Sequence, residues 1–206
     1  MWFPILITVI TGYLLGNLNG AVCMSTLLSH DDVRSHGSGN AGLTNFIRSY
    51  GMASSILVVL IDFIKAVVAC LVGQLLLTPY DLALEGVMIG AAAVSLGHDF
   101  PALLGFKGGK GILCGLAIAV VADWRCALFI LALFAIAVLL TRYVSLGSVL
   151  GALGLGGFFG VMYFNRPVVA ILGVCIGLLA VFMHRANIVR LVKGTEHKFG
   201  AKKKEN

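Results

Sequence analysis

The amino-acid sequence predicts an all-α membrane protein with seven transmembrane helices, two of them short around a polar, re-entrant-like loop. Of its 206 residues, 59% are hydrophobic and 12% are charged, whereas soluble domains carry about 25% charged residues. The mean hydropathy is +1.00. Crossing the roughly 30 Å hydrocarbon core takes about 20 apolar residues per helix, which leaves room for about seven short spans. We therefore expect one domain over residues 1–206.

Polar residues interrupt the apolar sequence and divide it into seven predicted helices. No Lys or Arg precedes the first apolar run; because a cleaved signal peptide has a basic start, we expect this helix to remain in the mature protein. The third and fourth helices are short for a full crossing, and the Gly-rich segment between them is typical of non-helical backbone at membrane depth. The predicted helices cover residues 2–28, 52–77, 82–96, 111–122, 124–140, 145–163 and 167–183.

The basic residues predict the orientation of these helices. With the N-terminus outside the cell, 12 of the 15 basic residues fall in the cytoplasmic loops and the C-terminal tail. The opposite loops hold Arg125 and Arg166, and Lys65 lies within a span. Because Lys and Arg are enriched in cytoplasmic loops, this distribution favours an odd number of spans and a cytoplasmic C-terminus. The 12 residues are Arg34, Arg48, Lys107, Lys110, Arg142, Arg185, Arg190, Lys193, Lys198, Lys202, Lys203 and Lys204.

The formal charge of +6 therefore reports topology rather than a nucleic-acid partner, and we expect the tail lysines to meet anionic lipid. The cysteines lie scattered in apolar segments, without a CxxC pair or a His at ligand spacing. This pattern favours packing over metal binding or redox chemistry, and we expect neither a metal nor a cofactor. The cysteines are Cys23, Cys70, Cys114, Cys126 and Cys175.

Three polar segments contain most of the candidate chemistry, and the predicted topology places them on one face. In the first, GSGNAGLTNFIRSYG, glycines free the backbone to turn its amides toward a ligand, and neutral donors beside a guanidinium suit a phosphate group. A helical turn over residues 44–50 would add unpaired amides. The alternative is a loop that only connects two spans. The candidate ligands are Ser38, Asn40, Thr44, Asn45 and Arg48.

The second segment, GHDFPALLGFKGGKG, contains a glycine-rich basic loop. It does not match the nucleotide pattern GxxxxGK[ST], because Gly111 follows Lys110 and no strand precedes the loop, so nucleotide hydrolysis is disfavoured. Amides of Gly108, Gly109 and Gly111 together with the Lys110 ammonium still predict an anion cradle. The alternative is that Lys107 and Lys110 only determine topology.

The third segment, HRANIVRLVKGTE, begins directly after the last span. Asn187 and Arg190 follow His184 at spacings of three and six, so the three side chains could share a helix face. The alternative is that they only anchor a helix end. Within the second span, Asp62 and Lys65 also stand three residues apart. Because ionisable groups are expensive in the membrane, we expect them to form an ion pair that supports the site.

Several catalytic motifs are absent from the sequence. No His is followed five positions later by Asp, which excludes the HxxxxD dyad of coenzyme A-dependent glycerolipid acyltransferases. GxSxG, HExxH and the metal motif of alcohol phosphotransferases are also missing. The residues thus predict an anion site beside lipid with no obvious nucleophile or general base.

Together the three segments resemble the acyl-phosphate-dependent glycerol-3-phosphate acyltransferases of bacteria, the PlsY family. SGNAGLTNFIR fits the family motif SGNxGxTNxxR, GHDFPALLGFKGGKG fits GHxFPxxxxFxGGKG, and HRANIVRLVKGTE fits HRxNIxRLxxGxE. A shorter stretch, YVSLGS at residues 143–148, also matches. The resemblance extends along nearly the whole chain.

This resemblance implies a seven-span enzyme of the bacterial inner membrane with a cytoplasmic active site. The implied reaction moves a fatty acyl group from a long-chain acyl phosphate to the sn-1 hydroxyl of glycerol 3-phosphate, giving lysophosphatidic acid and phosphate. It implies no cofactor and does not identify the protein that supplies acyl phosphate. The first motif would then grip a substrate phosphate, and Lys110 with its glycines would stabilise the acyl phosphate. The remaining site assignments are His184 and Asn187, which would orient the glycerol moiety, and Ser145, Ser148, Arg190 and Glu196, which would bind substrate.

Because acyl phosphate is already activated, positioning and charge neutralisation would supply most of the catalysis. The hydroxyl proton would go to a substrate phosphate or to His184, which could equally be an orienting residue. Two alternatives remain at this stage: a transporter for a phosphorylated solute, and a relative that binds lipid phosphate without turnover. Against a transporter, the sequence has no internal repeat. It departs from the family at Asn17, Asn19, Ala66, Leu113 and Cys114.

Overall fold

The computed structural model describes residues 1–200, which form ten α-helices and three short 3-10 turns without any strand. This confirms the all-α fold class. Lys202, Lys203 and Lys204, assigned above to the cytoplasmic tail, lie outside the described residues. The helices are α1 (Trp2–Asn17), α2 (Gly20–Ser29), α3 (Leu43–Tyr50), α4 (Ser55–Leu77), α5 (Ala83–Asp99), α6 (Ile112–Ala122), α7 (Trp124–Thr141), α8 (Val144–Met162), α9 (Pro167–Met183) and α10 (Arg185–Val192).

All seven predicted apolar segments are helical, but they differ in their capacity to cross a bilayer. Five stretches are long and apolar enough to do so, and α9 with α10, bent by 57°, makes a sixth if the pair counts as one span. Helix α6 has 11 residues, fewer than the roughly 20 that a crossing takes. The five stretches are Trp2–Ser29, Ser55–Tyr80, Ala83–Leu104, Trp124–Thr141 and Val144–Met162.

The first predicted helix, at residues 2–28, is interrupted, because Leu18 and Asn19 adopt extended backbone conformations. The Asn19 side chain accepts a hydrogen bond from Val22 N at 3.0 Å and so caps α2. Its amide also donates to the carbonyl of Ala41 at 2.9 Å. The third helix, predicted to end at residue 96, continues to Asp99. The interruption comes from a polar side chain, Asn19, that finds a partner in a distant loop.

Helix α5 lies at the centre of the bundle, where it packs against α1, α4 and α9. Glycines let the neighbouring backbones approach closely. A Cβ atom on Gly86 would overlap the carbonyl of Gly73 in α4, and one on Gly97 would overlap the carbonyl of Tyr13 in α1. Contacts between small residues are typical of helices packed in membranes, because lipid offers no hydrophobic drive for association. This close packing fixes the position of the polar end of α5 along the long axis of the bundle.

The three polar segments gather at one end of the bundle. Arg34 Nη1 donates to the carbonyl of Leu104 at 2.7 Å, which joins the loop before the first segment to the second. Lys110 Nζ donates to Asn187 Oδ1, which joins the second segment to the third. The chain after α10 also returns to this end, since Phe199 N donates to a carbonyl in the α7–α8 loop at 2.7 Å.

The opposite end of the bundle carries its own polar contacts. Arg166 Nη2 lies 2.7 Å from Glu85 Oε2, and the hydroxyl of Tyr163 donates to Asp123 Oδ2 at 2.9 Å. These contacts fasten the α8–α9 turn to the start of α5 and to the α6–α7 junction. Few basic residues lie here, in agreement with the charge asymmetry of the sequence.

The two ends should differ in their access to a membrane-impermeant thiol reagent. We predict that single cysteines at Ser35 and Lys198, both exposed at the site end, stay unlabelled in intact cells. A cysteine at Thr78, exposed at the other end, should react. The background lacks the five native cysteines, and permeabilised cells serve as the control in which all three positions react. Labelling at Ser35 with protection at Thr78 would invert the topology.

Candidate active site

Asn45 organises the loop of the first segment. Its Nδ2 donates to the carbonyls of Val33 and His36 at 2.9 and 3.0 Å, and its Oδ1 accepts from Ser38 N at 2.9 Å. The residue is 2% exposed. A Cβ atom on Gly37, which has φ +56°, would overlap Asn45 Oδ1, so only glycine fits there. The hydrogen-bonding groups of Asn45 hold the loop, and a substrate contact by this residue stays a prediction.

The other polar side chains of this segment face outward. Ser38, Thr44 and Arg48 are exposed and Asn40 is half-buried. Within residues 1–200, the hydroxyl of Thr44 and the guanidinium of Arg48 form no side-chain hydrogen bond or ion pair, so both remain available to a ligand. They project from α3, the short helix that the sequence predicted at residues 44–50. The geometry thus leaves a cation and neutral donors on one accessible surface.

The glycine loop of the second segment rests on the end of α5. Gly108 N donates to the carbonyl of Asp99 at 3.2 Å, and Gly109 N donates to the carbonyl of His98 at 3.1 Å. Both amides are hydrogen-bonded to the end of α5, and an anion cradle at these glycines stays a prediction. They satisfy carbonyls that the helix end leaves without intrahelical partners. Gly111, with φ +68°, then starts α6 from a left-handed conformation.

A buried polar cluster lies beneath this loop. Lys65 Nζ is 2.8 Å from Asp62 Oδ1, so the predicted ion pair is present, and also 2.8 Å from His98 Nδ1. It donates as well to the carbonyls of Gly16 and Leu18 at the end of α1. Because an ammonium group has no acceptor, His98 Nδ1 accepts this hydrogen bond.

His98 connects the cluster to the glycine loop, and sequence reasoning missed it. A Cβ atom on Gly109 would overlap Nε2 of the His98 ring, so the loop backbone lies directly against the imidazole. The sequence does contain a feature that could have identified His98, namely its position at the end of an apolar span. Ionisable side chains within the membrane usually have a defined partner.

In the third segment, Asn187 is the central residue. Its Oδ1 accepts from Lys110, and its Nδ2 donates to Glu196 Oε1 at 3.0 Å. Arg190 Nε donates to the second carboxylate oxygen of Glu196 at 2.6 Å. Asn187 and Arg190 lie in α10, and His184 is the residue before its first turn. The result is a continuous hydrogen-bonded chain from the glycine loop to the tail.

Glu196 holds the side chains of Asn187 and Arg190, and the substrate contact assigned to it stays a prediction. Burial raises the pKa of its carboxyl group, but hydrogen bonds from Arg190 and Asn187 outweigh burial, and the net pKa lies below its ordinary value. The group is therefore an anion that would repel a substrate phosphate. It acts by fixing Arg190 and Asn187.

His184 has a defined tautomer. Its Nδ1 lies 2.8 Å from the carbonyl oxygen of Ala180; because a carbonyl only accepts, Nδ1 carries the proton in the neutral ring and Nε2 carries a lone pair. The residue comes directly after α9, and burial of its ring lowers the pKa of the imidazole. Nε2 of the neutral ring is therefore able to accept a hydrogen bond or a proton.

Two serines at the start of α8 complete the predicted set. The hydroxyl of Ser145 is buried without a hydrogen-bond partner among the described residues. That of Ser148 donates to the carbonyl of Val144 at 3.0 Å. Ser145 nevertheless lies close enough to Glu196 to help lower the pKa of that carboxyl group, and Ser148 offers only its oxygen lone pairs.

An apolar cavity of about 180 Å³ extends from this site into the bundle, between α5, α6, α7, α8 and α9. Its lining includes Gly111 of the glycine loop and apolar side chains such as Leu116, Ile130, Leu155 and Ile176. Lys110 and the nearby Arg48, Arg185 and Arg190 form a cationic surface. This surface meets the cavity at the glycine loop. This is the arrangement that an amphiphile with an anionic head and an apolar tail requires.

Comparisons with known proteins agree with this geometry. A family model described as glycerol-3-phosphate acyltransferase matches residues 6–194. The glycerol-3-phosphate acyltransferase of Thermoanaerobacter sp. (strain X514) is 36% identical over 196 residues, covering 95% of this chain and 96% of that protein. That of Anaeromyxobacter dehalogenans (strain 2CP-1 / ATCC BAA-258) is 44% identical over 192 residues, with coverages of 92% and 94%.

Solved structures are also similar. The crystal structure of PlsY, an integral membrane glycerol 3-phosphate acyltransferase, in its glycerol 3-phosphate form aligns with a TM-score of 0.85 at 33% identity. The alignment covers 95% of this chain and 96% of that one. The lysophosphatidic acid form aligns with a TM-score of 0.80 at 31% identity, covering 95% of each chain.

Proposed function

The chain belongs to the glycerol-3-phosphate acyltransferase family, and from that premise we propose that it uses an acyl phosphate as donor. It transfers the acyl group to the sn-1 hydroxyl of glycerol 3-phosphate and releases lysophosphatidic acid and phosphate. The observation that carries this proposal is the junction of a cationic surface with an apolar cavity at the glycine loop. The similar PlsY structures, in glycerol 3-phosphate and lysophosphatidic acid forms, support the same substrate and product here.

The cationic surface suits the phosphate groups of two substrates. Lys110 lies close enough to Arg190, Arg48 and Arg185 for their charges to act on its ammonium group. A cluster of like charges is unfavourable by itself, so an anion placed among them gains the attraction of all. Arg48 can bind two phosphate oxygens at once through its planar fork. Ser38 and Thr44 add neutral donors beside it.

The cavity suits the acyl chain of the donor. Its lining is almost entirely apolar below the glycine loop, and each methylene buried there contributes about 0.8 kcal/mol of binding free energy. A chain lying in the cavity brings its carbonyl carbon to the level of Gly111 and Lys110. Binding of the tail thereby positions the reacting carbon next to the phosphate-binding cations.

The reaction then needs one proton acceptor and stabilisation of negative charge. The sn-1 oxygen attacks the carbonyl carbon, the bond between that carbon and the phosphate oxygen breaks, and phosphate leaves with the electron pair. His184 Nε2, which carries a lone pair, accepts the hydroxyl proton. Lys110 stabilises the departing phosphate, and Asn187 holds the Lys110 ammonium in place.

The donor is tested with purified protein and radiolabelled glycerol 3-phosphate. We predict labelled lysophosphatidic acid with palmitoyl phosphate and none with palmitoyl coenzyme A, because the sequence contains no HxxxxD dyad for the thioester route. Heat-inactivated protein controls for spontaneous acyl transfer. Equal rates with the two donors would overturn the donor assignment, and no product with either would overturn the enzymatic function.

A pH profile tests the role of Lys110. Burial, followed by the charge of Arg190, lowers the pKa of its ammonium group to about 8. A lysine with a lowered pKa becomes neutral as the pH rises through that value. We therefore predict that kcat/KM, which reports the free enzyme, falls as the pH passes about 8.

Lys110→Arg provides the matched control, because a guanidinium stays charged over the whole range. We expect this variant to be slower by at least about tenfold, since a bulkier head must fit among glycines, a loss of about 1.4 kcal/mol in transition-state stabilisation. Its kcat/KM should stay level where that of the wild type declines. An equally steep decline in the variant would mean that another group titrates.

A further inference from the structure

Asp99, the last residue of α5, is an unexplained polar group. The residue is 1% exposed, and its Oδ1 is buried without a hydrogen-bond partner among the described residues. No ion pair within 4.0 Å involves it in that part of the chain. Buried polar atoms almost always have a partner, so an orphaned one points to a role that folding does not supply.

Asp99 lines the apolar cavity together with Gly111. A Cβ atom placed on Gly111 would lie 3.3 Å from Asp99 Oδ1, which sets the carboxyl group against the backbone next to Lys110. Two serines share this end of the cavity, but both are engaged: Ser95 Oγ donates to the carbonyl of Ala91 at 2.8 Å, and Ser148 Oγ to its own helix. Asp99 Oδ1 is therefore the orphaned polar atom at this end of the cavity.

We propose that Asp99 is a further catalytic residue, which as a neutral carboxyl group donates a hydrogen bond to the carbonyl oxygen of the acyl phosphate. This inference rests on the proposed function. The family motif GHxFP leaves the Asp99 position open, so the motif assigns it no role. A donor chain lying in the cavity brings its carbonyl oxygen to the end where Asp99 lies.

The chemistry needs no proton to leave Asp99. When the sn-1 oxygen attacks, the carbonyl oxygen gains negative charge, and a hydrogen bond to it becomes stronger. An uncompensated carboxylate in an apolar cavity would be costly, whereas a neutral carboxyl group needs only an acceptor for its hydrogen. A carboxyl group held neutral in an apolar site is a known form of oxyanion donor. His184 remains the proton acceptor, so the two residues have separate tasks.

Two substitutions separate this role from a structural one. Asp99→Leu removes all polar atoms at similar volume, and Asp99→Asn keeps a donor in the same position. Because Asp99 Oδ1 has no hydrogen-bond partner within residues 1–200, Asp99→Leu should not lower the thermal unfolding midpoint. Asp81→Asn, an exposed carboxyl group at the opposite end of the bundle, serves as the matched control. Turnover is measured with palmitoyl phosphate and radiolabelled glycerol 3-phosphate.

We expect kcat to fall by at least about tenfold in Asp99→Leu, while Asp99→Asn keeps most of its activity and the KM for glycerol 3-phosphate stays unchanged in both. Wild-type kcat in Asp99→Leu would overturn the inference and leave the proposed function intact. A parallel loss of unfolding temperature, or failure to fold, would assign Asp99 to structure. Equal losses in both variants would exclude the donor role. An inactive wild type would overturn both proposals.

Discussion

The ammonium group of Lys65 is the interaction on which the arrangement of this protein depends. It is 4% exposed within a membrane-spanning helix, where a charge persists only if its surroundings compensate it. Asp62 supplies the opposite charge, and His98 and the carbonyls at the end of α1 complete its hydrogen bonds. A single side chain thereby ties the break between α1 and α2 to α4 and α5. Few other arrangements would give this charge its partners. The cluster therefore fixes how α1, α4 and α5 are positioned relative to one another along the bundle axis.

The glycine loop connects the Lys65 cluster to Lys110. Its backbone lies on the His98 ring and bonds to the last carbonyls of α5, which satisfies irregular backbone at membrane depth. Lys110 then extends from a fixed loop to Asn187, and Glu196 holds Asn187 from the other side. Three segments far apart in the sequence are thus held together by hydrogen bonds between their side chains. The apolar cavity begins at the same place, so that one loop adjoins both the cations and the cavity.

Much of this organisation follows from the sequence, and the parts that do not follow share a physical reason. Hydropathy and charge predicted the apolar helices and the polar segments, because burial in lipid acts on each segment separately. Hydrogen-bond partners cannot be predicted in this way, since they come from distant segments. The interruption at Leu18 depends on Asn19 reaching the carbonyl of Ala41, and Asn45 is occupied by a loop that lies before it. Asp99 occupies the unspecified position x of the motif GHxFP. Its place beside the cavity is therefore visible only in the structure.

The central claim is that the Lys65 cluster positions the glycine loop, rather than only stabilising the fold. Its most direct test compares Lys65→Met with the double variant Asp62→Leu, Lys65→Met, by thermal unfolding and by turnover of glycerol 3-phosphate. Removing one partner strands a buried charge and should cost about 3–5 kcal/mol. An apolar pair of similar volume should recover part of that loss, because the carbonyls of Gly16 and Leu18 still lack their donor. The account predicts that turnover stays low in the double variant, because His98 has lost the partner that fixes its ring. Wild-type turnover in that variant would contradict it.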